Sequence, residues 1–391
     1  MSQDEPFPWD IGVYDAHCHP TDTMASVADI PQMKATTLTI MATRGEDQDL
    51  VLQTAVSLSA KTTHSATDRI VPCFGWHPWF SHQILDDTAK PTAAQDAAEK
   101  SAHYAAVLTG VAENEDQSFI DLLPFPKPLS ELISETRARL QQFPNALVGE
   151  VGLDRSFRLP SPWTTSEIDN RDDQITPGSR EGRRLTHYRV KPEHQRVVLK
   201  AQLQLAGEMN RPVSIHSVQA HGGVFDLLKE LWAGHERVLL SRRRREKEQD
   251  AEGAVSEDEE DDDAKTLDAS TQASVLGGKS YLPFPPRICM HSYTGSVEPI
   301  RQFLHRSNPS DVYFSFSKLI NFSGAAAKKV SDVIKFLPED RILVESDLHV
   351  AGAQMDDLLE DVTREICKLR GWELRQGVQV LADNWRRFVF G

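Results

Sequence analysis

Two histidines close the first apolar run of the chain, Val13-Tyr14-Asp15-Ala16-His17-Cys18-His19. At i, i+2 spacing on a β-strand both imidazoles point to one face, and Cys18 between them points to the other, where it reads as packing. Two imidazoles on one side of a strand end make half of a divalent-metal site. Further donors recur directly after other apolar runs. They are His77 in Gly75-Trp76-His77-Pro78, Glu150 in Gly149-Glu150-Val151-Gly152-Leu153-Asp154, His216 in Ile215-His216-Ser217, His291 in Met290-His291-Ser292, and Asp347 in Glu345-Ser346-Asp347. Ionisable side chains in such places are costly unless they are paired or bind a metal. His17, His19, Glu150, His216, His291 and Asp347 therefore stand as candidate metal ligands. A lone histidine at a strand end, such as His77, is more often a satisfied structural residue, and His221, His305 and His349 read as bystanders.

The mixture of donors defines the chemistry. Imidazole and carboxylate together hold zinc, manganese or similar ions and leave positions open for water. A carboxylate such as Glu150 can bridge two ions. Two ions roughly 3.5 to 4 Å apart clamp a substrate oxygen and lower the pKa of a bound water. Asp347 can hold that water and accept its proton.

These residues must be positioned by strands that end on one side of the fold. Short strand-like runs at 13–16, 36–41, 70–74, 146–151, 212–215, 287–290, 312–316 and 341–345 alternate with stretches of helical period at 46–60, 129–142, 193–209, 224–232 and 297–305. Continuous apolar runs of this kind suit buried parallel strands. Eight strands alternating with helices point to a (β/α)8 barrel, in which all strand C-termini converge on one rim. Periodicity alone leaves an open, doubly wound sheet as the alternative. The chain is read as one domain over 1–391, with inserts at 86–117, 159–190 and 242–279. The last opens with Arg242-Arg243-Arg244-Arg245, runs into an acidic block, and is expected to be disordered. The tetra-arginine run reads as a solvated loop or as nuclear targeting.

Composition excludes several classes. With 391 residues, 39% hydrophobic and 26% charged, the sequence is that of a globular protein with polar insertions. No apolar stretch approaches the roughly 20 residues needed to span a bilayer, so no membrane partner is expected. The first ten residues lack an apolar signal core. The four scattered cysteines fit reduced thiols in the cytoplasm or nucleus. Residues 246–263 carry −10 of the net charge of −15, so the remainder is only mildly acidic. Bulk charge gives no argument for nucleic-acid binding, which would need a local basic groove.

Taken in order, the motifs around His17, His77, Glu150, His216, His291 and Asp347, with Asn384-Trp385-Arg386-Arg387-Phe388 near the end, resemble the TatD family of metal-dependent hydrolases over nearly the whole chain outside the inserts. The long inserts look like a divergent eukaryotic branch. The resemblance implies a TIM barrel with two divalent ions, zinc, magnesium or manganese. His17, His19, Glu150 and Asp347 would hold the first, and Glu150, His216 and His291 the second. It implies hydrolysis of DNA or nucleotide phosphodiesters, often as a 3′→5′ deoxyribonuclease, with Asp347 and Glu150 catalytic. It also implies, for part of the eukaryotic branch, a tetratricopeptide-type protein partner in a cell-cycle complex. Departures stand where phosphate contacts are expected: Trp79 replaces a histidine, Val218 an arginine, and Leu348-His349 follow Asp347 in place of a nearby proline. His77, Arg155 and Lys318 are the residues left to meet substrate, with Arg158 as a further cation. A small ester or amide substrate, or a barrel that serves only as a protein-interaction partner, are the competing readings.

Overall fold

The computed structural model describes residues 5–59, 68–89, 94, 96–111, 117–238, 281–324 and 326–391. Eight strands pair in sequential order: β1 (Tyr14–Cys18), β2 (Thr37–Met41), β3 (Ile70–Phe74), β4 (Leu147–Asp154), β5 (Val213–Val218), β6 (Arg287–Met290), β7 (Asp311–Phe316) and β8 (Ile342–Val344). All neighbouring pairs are parallel. The order has no reversal, which an open doubly wound sheet requires, so the sheet curls into the (β/α)8 barrel.

Alternation sorts each strand into two faces. Tyr14, Ala16, Met41, Val71, Cys73, Leu147, Cys289, Tyr313 and Leu343 meet inside the barrel. Their neighbours Leu38, Ile40, Ile70, Phe74, Val148, Ile288, Phe314 and Ile342 join the larger core under the helices. One step further up the strands, the inward positions turn polar: His216 above Ser214, His291 above Cys289, Ser315 above Tyr313, Glu345 above Leu343. The helix Leu374–Phe390 closes the opposite end. Its Trp385 stacks on Tyr14 with ring centroids 4.4 Å apart and donates its indole N–H to Thr39 Oγ1 at 3.2 Å. Asn384 Nδ2 donates to the carbonyls of Glu339 and Ile342.

The seam between β8 and β1 is made differently from the other pairings. Just beyond β8, the Asp347 N–H donates to His17 O at 3.0 Å, and the Ser346 hydroxyl and N–H both donate to the buried Asp15 carboxylate. The His19 N–H reaches Leu348 O at 2.8 Å. A side chain thus stands in for part of a ladder.

Two of the expected inserts are structured and pack on each other. Stretch 86–117 holds the helix Ala97–Val107 and the strand Leu108–Thr109, which pairs antiparallel with Arg189–Val190 at the end of 159–190. Tyr104, Val107, Phe119, Leu159, Tyr188 and Val190 form a small core of their own there. Stretch 242–279, with its charged run, lies outside the described residues. No helix among the described residues is long and apolar enough to cross a membrane.

Three histidines, His82 and His103 buried and His194 partly so, join this added layer to the barrel. His103 Nε2 donates to His82 O at 2.8 Å, His194 Nε2 to Ser81 O at 2.9 Å, and His82 Nδ1 to Trp79 O at 3.1 Å. Burial pushes His82 down to about 3, His103 down to about 4, and His194 below its ordinary value. Unfolding restores ordinary imidazoles, so below about pH 6.5 the unfolded chain binds more protons than the folded one. Stability is therefore expected to fall as the pH drops from about 6.5 toward 4, by at most about 3 kcal/mol from His103. Denaturant titrations at about pH 7 and pH 4.5 measure this. If His103→Gln loses as much stability on acidification as the parent, His103 is not a source of the effect.

Candidate metal centre

Simple alternation along β1 would turn His17 away from the interior, because Tyr14 and Ala16 already face it. A register shift against β2 between Asp15 and Cys18 re-aims the strand. His17 and His19 then both face inward, while Cys18 packs in the outer core. A second shift, between Val148 and Val151 against β5, does the same for Glu150. It needs glycine: Gly149 has φ +154°, and a Cβ there would lie 2.9 Å from Cys73 Sγ and 3.0 Å from Ser214 O. Val151 and Leu153 return to the outer core. Glu150 and Asp154 project over the barrel mouth.

The two oxygens of Glu150 divide the imidazoles into two groups. Oε2 lies 3.5 Å from both His17 Nε2 and His19 Nε2. Oε1 lies 2.8 Å from His291 Nε2, 2.9 Å from His216 Nδ1 and 3.1 Å from His77 Nε2. Asp347 Oδ1 closes the first group, 3.8 Å from His17 Nε2 and 3.6 Å from His19 Nε2. Among the described residues, three sets of donors lie close enough to share an ion: His17, His19 and Asp347; His17, His291 and Glu345; His77, Glu150 and His216.

The partners behind these side chains decide which nitrogen faces the centre. Ser214 Oγ holds His17 Nδ1 at 2.9 Å, leaving Nε2 inward. Asp154 Oδ2 sits 3.1 Å from His216 Nε2 and takes that N–H, leaving the Nδ1 lone pair for the centre. The Trp79 N–H donates to His77 Nδ1 at 3.2 Å, so His77 carries its proton on Nε2 and points it at Glu150. Glu345, fully buried, accepts from the N–H and hydroxyl of Ser292 and from the hydroxyl of Ser315. It thereby fixes the turn after His291, where Ser292 has φ +41°.

Electrostatics follow from this crowding. Burial alone would raise Glu150, but His77, His291 and His17 outweigh it and hold the carboxyl well below its ordinary range. Burial opposes charge on His19 and His291 as well. Asp347 and Glu150 nevertheless lift His19 to about 9, and Glu150 with Glu345 lifts His291 well above its ordinary value. His77 goes the other way, pushed by burial to about 4.

The donor set fits divalent cations. His17 Nε2 and His19 Nε2 are 3.0 Å apart, and His291 Nε2 and His216 Nδ1 are 3.3 Å apart. Nitrogen facing nitrogen can share only one proton per pair, whereas a cation satisfies every lone pair at once.

The structure thus brings His17, His19, Glu150, His216, His291 and Asp347 together and adds His77. Arg155 and Lys318 do not join the cluster. Arg155 is exposed, with its N–H on Val218 O, and Lys318 Nζ lies over the Phe322 ring. Asp154 and Glu345 are carboxylates of the cluster that strand-end reasoning passes over. The signal for Asp154 is its i+4 spacing from Glu150, on one face of a strand that runs three residues beyond its expected end. His349 is closer to the centre than a bystander. Its Nδ1 lies 2.7 Å from Asp22 Oδ2, and its ring stacks on His19 at 5.2 Å. Asp22 in turn pairs at 2.7 Å with the buried Arg44, whose guanidinium also donates to Thr176 O and Pro177 O. Arg44 so pins stretch 159–190 to the rim.

A family model described as TatD related DNase matches residues 14–390. The chain is 33% identical over 377 residues to the Cut9-interacting protein scn1 of Schizosaccharomyces pombe, covering 96% of this chain and 98% of that protein. It is 27% identical over 393 residues to an uncharacterized deoxyribonuclease of Saccharomyces cerevisiae, again covering 96% and 98%. A crystal structure of an uncharacterized amidohydrolase from Saccharomyces cerevisiae shares the fold, with a TM-score of 0.52 at 13% identity, covering 98% of this chain and 100% of that one.

Proposed function

The chain belongs to the TatD family of metal-dependent hydrolases, and on that premise we propose that it is a deoxyribonuclease that cleaves phosphodiester bonds at a two-ion centre, working 3′→5′ along a strand. The observation that carries the reading is the split of Glu150, whose two oxygens face two adjoining groups of imidazoles. His17, His19, Glu150 and Asp347 would hold one ion, and Glu150, His216 and His291 the other. Two divalent ions held there, zinc, magnesium or manganese, supply a water of lowered pKa and a polarised phosphate. Asp347 accepts the proton of the attacking water on its carboxylate. Asp154 keeps His216 in the tautomer that faces the centre. His77 directs its Nε2 proton onto Glu150, beside the space where a substrate oxygen would lie. Arg155 and Lys318 would meet phosphates further along the strand.

The test is hydrolysis of 5′-labelled single-stranded DNA by purified protein of known metal content. Progressive shortening from the 3′ end is expected. Chelation should abolish it, and a divalent ion should restore it. A protein that carries two equivalents of metal and leaves the strand intact would contradict the nuclease reading.

A second reading draws on the name of the Schizosaccharomyces pombe relative, which identifies it as interacting with another protein. On this reading the chain docks a tetratricopeptide-type partner through stretch 242–279. Deleting 242–279 separates the two activities. Loss of binding to such a partner with turnover intact supports docking through that stretch, and unchanged binding removes it.

A further inference from the structure

Beside the metal centre, the loops after β3 and β4 and the added layer enclose a cavity of about 500 Å³. Its walls include Trp79, Phe80, Phe119, Phe157, Trp163 and Arg180. This volume lies in the range of small-ligand sites. The walls are flat rings and guanidinium planes more than branched aliphatic groups. Trp79 and Phe157 stack at 4.5 Å with planes 10° apart. The Arg183 guanidinium lies 4.5 Å from the centre of the Trp163 ring. The lining holds two arginines, Arg180 and Arg183, and one acid, Glu46.

The cavity and the centre share a wall. The Trp79 ring stands 4.8 Å from the His77 ring and 6.0 Å from the His216 ring. Its indole N–H donates to Asp154 Oδ2 at 2.6 Å, the oxygen that also meets His216 Nε2. The other oxygen, Asp154 Oδ1, accepts from the N–H groups of Ser156 and Phe157 at 2.7 and 2.9 Å. One carboxylate therefore fixes both rings of the stack and one imidazole of the centre. A ligand resting on those rings is held in register with whatever occupies the centre.

We propose that this cavity is a nucleobase subsite, which takes the ring of a nucleotide whose backbone phosphate lies on the adjoining metal centre. The inference rests on the phosphodiester reading for its second half only. Aromatic faces with nearby guanidinium groups suit bases of any sequence, because every base has a π-face. The subsite would therefore select for the presence of a base and little for its identity.

The test reads binding, with the full chain in excess chelator. Calorimetric titration compares a DNA tetranucleotide with the same strand made abasic. Both carry the same phosphates, so repulsion by Glu150 and Asp347 cancels in the ratio. The intact strand is expected to bind roughly 5- to 150-fold more tightly, the range for one stacked base. Trp163→Leu keeps apolar bulk and removes the ring, so it should erase most of that preference. Trp163→Phe should retain much of it. Equal affinity for the two strands, or a Trp163→Leu protein with the parent's preference, overturns the subsite even if DNA is hydrolysed once metal is supplied. Preferential capture of an apolar tryptophan-containing peptide over the tetranucleotide overturns it as well. Base-dependent binding without hydrolysis by the metal-loaded protein leaves the subsite standing and removes the nuclease reading.

Discussion

Asp347→Asn is expected to lower kcat on single-stranded DNA by about 10² to 10⁴, the usual worth of a positioned general base. Its KM should change little. Asp347 is the most open carboxylate of the cluster, with its side chain 18% exposed against 5% for Glu150, so water and substrate can reach it. Burial would raise its pKa, but His19, His291 and His17 hold it at about 2, which keeps it ionised at every working pH. Its backbone has φ +55°, a left-handed conformation held by the N–H bond to His17 O. Asparagine tolerates that conformation and preserves size, so the exchange removes mainly charge and basicity. Elemental analysis of the variant separates loss of the base from loss of an ion. A kcat within threefold of the parent would remove Asp347 as the base.

Glu150→Gln should have the larger structural effect. The change neutralises the carboxylate that five imidazoles face. Bound metal is expected to fall well below two equivalents, and turnover with it. The metal-free protein should also lose about 3–5 kcal/mol of stability, as when one partner of a buried ion pair is removed. The sign of the pH dependence follows from the shifts. Glu150 is depressed below its ordinary 4.5, so its contribution is present above that value and fades as the pH falls further. His291 is raised above its ordinary 6.5, so its contribution is full below that value and fades in alkali. The difference between parent and variant should thus peak between these two values. Denaturant titrations across that window measure it. A metal-free variant as stable as the parent would show that Glu150 does not balance the histidines.

Much of the barrel, and the gathering of these side chains at its rim, is legible in the sequence. The six candidate donors each follow an apolar run, and a parallel barrel necessarily gathers such positions at one rim. Asp154 and Glu345 are less legible because parity along a strand breaks at a bulge, and no residue type announces the shift. Gly149 and Gly152 weaken the strand signal at the point where β4 continues. The helices Ala326–Phe336 and Ala353–Arg370 carry apolar residues at 3–4 spacing, among them Val330, Val333 and Ile334, yet lysines and acids crowd the intervening positions. The aromatic cavity is assembled from irregular loops far apart in sequence. Such loops have no period, so only their folding together reveals it.

The seam of the barrel has a consequence for the lifetime of the fold. Seven junctions of the ring are parallel strand ladders, while the eighth is clasped by Asp15, Ser346 and a few backbone bonds beside the centre. On the proposed assignment His17 and His19 stand on one side of that junction and Asp347 on the other, so an ion they share spans it as a rivet. Removal of the ion would leave that junction to Asp15, Ser346 and the backbone bonds alone, so the ring is expected to loosen first at this seam when metal is withdrawn.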